Sequence, residues 1–154
     1  MDFSELISPA SIVTTLSATT KKQALEELAR LAAPVVRVDG KELFNSLLQR
    51  ERLGSTGYGR GIAIPHVHVR GLSRIVCYFA RLARPVDFDA PDNQPVDLVF
   101  LLLSPDHASG DHLKALARIS RLVRDTAMIE RLRTAKDEVA LRHLLIPTRT
   151  PHAA

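Results

Sequence analysis

The chain has 154 residues, 45% of them apolar, which suits one domain over residues 1–154 with a core spanning about 7–146. A net charge of +4 and a pI of about 9.6 bring nucleic acid into consideration, but aromatic residues make up only 5% and the basic residues are scattered, so no nucleic-acid partner is expected. The longest apolar run, Leu98–Leu103, falls far short of the roughly 18 residues of a membrane helix, so no membrane insertion is expected.

The opening "MDFSELISPASIV" has no basic region ahead of an apolar stretch, so a cytoplasmic location is expected rather than secretion. A short strand is predicted around Ser11–Thr14. "TTKKQALEELARLAAP" then reads as a helix, with Thr20 and Gln23 spaced as a capping box, Leu25, Leu28 and Leu31 on one face, and Pro34 ending it. A second helix follows Asp39, with Asp39 and Glu42 as another capping box, and runs through "KELFNSLLQRERL". Three strands are predicted at Gly61–Pro65, Arg74–Leu82 and Val96–Leu103. The last is apolar at nearly every position, as a strand covered on both faces should be. The lone Cys77 lies in the apolar "RIVCYFARL" and reads as a small buried hydrophobe. After "SPDHASGD" come three helices, "DHLKALARISRLVRD", "AMIERLRTA" and "KDEVALRHLLI", and a tail, 147–154, expected to fray. The order β-α-α-β-β-β-α-α-α predicts an α+β fold in three layers, a mixed central sheet with helices on both faces.

Three places depart from these patterns. In "GRGIAIPHVHVRG", glycines at 57, 59 and 61 permit a sharp turn, and Pro65 tends to end strand pairing, which would leave His66 exposed at the end of a sheet. If the chain stays extended, Ile62, Ile64, His66 and His68 share one face. On the second helix, at ~100° per residue, Glu51 falls in the middle of the apolar face of Leu43, Phe44, Leu47 and Leu48, with Arg50 at its edge. Such a charge is paired, sits on a fraying helix end, or faces a polar site. His112 falls near the start of a helix whose apolar face reads as Leu113, Leu116, Ser120 and Val123, with Ser109 or Asp111 as possible caps. The partial positive charge of a helix N-terminus favours an anion there.

The segments "LLQRERLGSTGYGRGIAIPH", "DNQPVDLVFLLLSP" and "DHLKALARISRLVRD" resemble, in that order, the IIA component of the fructose/mannitol class of the bacterial phosphoenolpyruvate-dependent phosphotransferase system. "LGSTG" and "DNQPVDL" are most similar to its nitrogen-regulatory branch. The resemblance implies that His66 accepts a phosphoryl group, that His112 donates a hydrogen bond to it and that Arg50 stabilises its charge. It implies no cofactor and no metal. It also implies a histidine phosphocarrier protein as donor, and regulatory targets such as sensor kinases or potassium transporters that read the phosphorylation state. The family's usual glycine after the active histidine is Val67 here, followed by His68.

Other readings of the same residues stay open at this level. The chain could be a sugar-transport IIA component. His66 and His68 form a His-x-His pair that, with His112 or Asp111, could ligate the metal of a hydrolase. Lys114, Arg118 and Arg121 could form a basic binding face, although ordinary solvation is the simpler account of them. His68 is either a loop surface residue or a second donor to the phosphate.

Overall fold

A computed structural model describes residues 2–147, so all but the first residue of the tail expected to fray lies outside the described residues. Two short 3-10 turns, Phe3–Glu5 and Pro9–Ser11, lead into β1 (Ile12–Leu16). Then follow α1 (Lys21–Val36), α2 (Gly40–Leu53), β2 (Gly57–Gly59), β3 (Ile62–Ala63), β4 (His66–Val69), β5 (Val76–Val86) and β6 (Val96–Pro105). The chain finishes in α3 (Ser109–Arg124), α4 (Thr126–Thr134) and α5 (Glu138–Leu145).

The six strands form one mixed sheet in the order β1-β5-β6-β3-β2, with β4 also paired to β6. Pairing is parallel for β1 with β5 and for β3 and β4 with β6, and antiparallel for β5 with β6 and β2 with β3. The continuous apolar run of β6 is explained by its two covered faces. Val99, Leu101 and Leu103 join the core beneath α1 and α2, while Leu98, Phe100 and Leu102 join the core beneath α3, α4 and α5. This is the predicted three-layer arrangement. Cys77 is fully buried in the second core, and burial pushes its thiol well above the usual range.

Two local expectations are corrected. Pro34 does not end α1: the helix runs to Val36, where Arg37 turns left-handed (φ 59°) and the Val38 N–H reaches back to Ala33 C=O. A proline in the last turn lacks an N–H but keeps a helical φ, so α1 closes two residues later with a Schellman bond. Pro65 does not end the sheet either. Its carbonyl accepts from Leu102 N–H at 2.9 Å, and β4 resumes at the next residue with His66 opposite Leu102 and His68 opposite Ser104. Of the predicted Gly61–Pro65 strand, Ile62–Ala63 forms β3, and pairing with β6 is taken up again from the Pro65 carbonyl into β4.

The turn between β2 and β3 needs its glycine at 61. Gly61 has φ of 80°, and a Cβ there would collide with the Arg133 guanidinium, which is held by Asp97 at 3.0 Å. Thr20 caps α1 by accepting from Gln23 N–H, while the Gln23 side chain reaches Thr19. Asp39 caps α2 through Lys41 N–H. α2 then buries Leu43, Leu47 and Glu51, one side chain every four residues. Each buried leucine contributes about 1.5–3 kcal/mol, which fixes the helix on the sheet and sets where its C-terminal end arrives.

Candidate functional site

Along β3 and β4 the odd positions Ala63, Val67 and Val69 face the core under α1 and α2. The even positions Ile62 and Ile64 face the side covered by α3. The period survives Pro65, so His66 and His68 also project toward α3. From α3 comes His112, its ring centroid 5.6 Å from that of His66 and 4.4 Å from that of His68. Together with Arg50 and Leu53 from the end of α2, these rings line a surface depression of about 440 Å³. The structure therefore brings His66, His112 and Arg50 to one place and adds His68 to them.

Each imidazole has its Nδ1 occupied. His66 Nδ1 lies 2.8 Å from Ile64 O and His68 Nδ1 lies 3.1 Å from Pro105 O. A carbonyl only accepts, so in the neutral rings Nδ1 carries the proton and Nε2 keeps its lone pair. His112 Nδ1 instead lies 2.5 Å from the hydroxyl of Ser104, a fully buried residue of β6. Among the described residues, no group of three or more His, Cys, Asp or Glu side chains is placed to hold a metal ion.

Burial is the main reason both rings of the pair stay neutral. It lowers the His66 pKa, with the Arg50 charge acting the same way and the Ile64 hydrogen bond opposing it. Burial, then the neighbouring His68 and His66, lowers His112 to about 4. A neutral imidazole keeps a lone pair that can attack an electrophile, and a protonated one does not.

Arg50 donates to Gly54 O at 2.9 Å through Nη1, which orients the guanidinium at the helix end and leaves other N–H groups for an anion. Beside it, Glu51 is neither frayed nor turned to the site. Its carboxylate accepts from Thr56 N–H at 2.9 Å and Thr56 Oγ1 at 2.6 Å, and Lys21 Nζ lies 3.4 Å away. The ion-pair reading of Glu51 is the one realised, and the residue pins the "LGSTG" turn that leads into β2.

The expected face of α3 needs correction. Its buried residues are His112, Ala115, Ile119, Leu122 and Val123, while Leu113 is 67% exposed. The N-cap is Ala108, without a side-chain cap, in place of Ser109 or Asp111. His112 can face inward because Ser104 satisfies it. Lys114 and Arg121 are exposed outside the depression, and the Arg118 guanidinium lies 6.0 Å from the Phe3 ring. Ser104 is the site residue that the sequence patterns do not point to. The available signal is a hydroxyl directly after the apolar run Leu98–Leu103, which has to find a buried partner.

The fold is that of IIA phosphotransferase proteins. It matches the crystal structure of nitrogen regulatory protein IIA-Ntr from Neisseria meningitidis with a TM-score of 0.86 at 35% identity, over 92% of this chain and 97% of that one. Residues 5–146 match the family described as "Phosphoenolpyruvate-dependent sugar phosphotransferase system, EIIA 2", and the chain belongs to that family. It is 49% identical over 145 residues to the nitrogen regulatory protein of Bradyrhizobium diazoefficiens, covering 94% of this chain and 95% of the relative. It is 40% identical over 137 residues to that of Escherichia coli K12, covering 88% and 84%. No helix of the described residues is long and apolar enough to cross a membrane.

Proposed function

We propose that this phosphotransferase-system component carries a phosphoryl group on Nε2 of His66, received in the cytoplasm from a histidine phosphocarrier protein. The observation that carries the reading is the Nδ1–H of His66 held by Ile64 O at 2.8 Å, in a half-buried ring open to the depression it shares with His112 and Arg50. The lone pair on Nε2 attacks phosphorus while the bond from phosphorus to the donor's imidazole nitrogen breaks. The PO3 unit passes from one lone pair to another, and each ring keeps its own proton. Charge on the equatorial oxygens is met by the Arg50 guanidinium, by the His112 ring and by the partial positive charge of the α3 N-terminus, in whose first turn His112 sits.

The output we propose is regulatory: partners such as sensor kinases or potassium transporters bind one phosphorylation state in preference to the other. Support comes from relatives that are named for nitrogen regulation, not for a sugar. The test is incubation with phosphoenolpyruvate, the general phosphotransferase enzyme and the histidine phosphocarrier. Mass spectrometry is expected to find one acid-labile phosphate on His66, and His66→Ala to lose it. Label on another residue, or none, ends this reading.

A further inference from the structure

We propose that Ser104 is a positioning residue for the phosphoryl-transfer site, fixing His112 in the tautomer that carries its proton on Nε2. The kinetic half of the inference rests on the reading of His66 above; the tautomer itself does not.

Register brings the parts together. His68 and Ser104 are opposite one another in the parallel pair of β4 and β6, and both point at α3. Ser104 is fully buried, and among the described residues His112 Nδ1 is the partner of its hydroxyl. A hydroxyl hydrogen buried without an acceptor is costly, so Ser104 donates and His112 Nδ1 accepts. A neutral imidazole with a bare Nδ1 has its hydrogen on Nε2. His112 thus holds the opposite tautomer to His66 and His68, whose Nδ1 atoms donate to the Ile64 and Pro105 carbonyls.

The opposition has a chemical consequence. A nucleophile needs a bare Nε2, and a ring that stabilises phosphate oxygens needs an Nε2–H. The partner of Nδ1 decides which of the two each histidine becomes: a carbonyl makes the nucleophile and a donating hydroxyl makes the donor. The His68 ring, tilted 31° against His112 at 4.4 Å, limits rotation of the His112 plane, so tautomer and orientation are fixed together.

The experiment is long-range proton–nitrogen NMR on the unphosphorylated full chain at neutral pH, beside phosphoryl-labelling kinetics. In the unsubstituted protein, His112 is expected with its proton on Nε2 and a bare Nδ1. A proton on Nδ1 overturns the proposal, and this arm needs no variant to fold. In Ser104→Ala the His112 proton should spread over both nitrogens. Labelling of His66 should slow about 3- to 10-fold, the range one hydrogen bond of ordinary net strength supplies. A Ser104→Ala protein that keeps a single Nε2–H tautomer and labels at the original rate also overturns it. If the unsubstituted protein takes no label at all, the functional reading fails, while the NMR spectrum still decides the tautomer.

Discussion

Glu51 on the α1–α2 side of the sheet and His112 on the α3 side are almost equally hidden, at 6% and 7% exposure. They are used differently. The Glu51 carboxylate is enclosed by Thr56 and Lys21, so its bonding capacity is spent on the scaffold. His112 gives one nitrogen to Ser104 and keeps the other on a ring that borders a depression. Burial of a polar group therefore does not distinguish architecture from chemistry. What distinguishes them is whether a bonding position is left over where a ligand can reach it.

The sharpest way to break this comparison is Glu51→Ala. It strands the Thr56 N–H and hydroxyl and part of the Lys21 charge, and should cost about 3 kcal/mol in chemical unfolding. A loss below about 1 kcal/mol would remove Glu51 from the scaffold. His112→Ala should reverse the pattern. Labelling of His66 is expected to fall ~100-fold, as for loss of one preorganised donor. Its unfolding free energy should drop by only about 1–2 kcal/mol. Arg50→Ala comes next, slowing labelling ~10-fold with less than about 1 kcal/mol of destabilisation, because its Gly54 contact is a solvent-exposed bond. Matching losses in melting temperature and rate would make Arg50 structural.

Stability should also depend on pH. His112 titrates at about 4 in the folded chain and near 6.5 when unfolded. Between those values the unfolded state binds the extra proton. His112 therefore contributes full stability above about 6.5, and that contribution is lost as pH falls toward about 4. Burial lowers His66 in the same direction. Melting temperatures at pH 7 and pH 5 should show the drop, and His112→Gln should reduce it. An unchanged drop in that variant would place its origin elsewhere.

Much of this arrangement was legible in the chain. The alternation of Ile62, Ile64, His66 and His68 predicted a shared face, and the structure keeps that face through Pro65 because the proline carbonyl still pairs with β6. The odd placement of Glu51 on a leucine stripe was visible too, although its partners were not: Lys21 lies thirty residues away in sequence. The orientation of α3 differs from the expected one. Residues 112, 115, 119 and 123 and residues 113, 116, 120 and 123 make overlapping helical stripes, and hydrophobicity alone prefers the one containing Leu113. The packed helix turns the other way because a histidine with a buried hydroxyl partner is no longer costly to bury.

By itself, then, the order of residues determined the alternation of strand faces, the helical stripes and the motifs that mark the family, since all of these are periodic or contiguous. Only tertiary structure decided that rings from β4 and α3 meet over one serine of β6, and that an arginine from α2 arrives beside them. Parallel pairing of β4 with β6 carries no turn to announce its register, so that meeting depends on contacts between segments far apart in the chain.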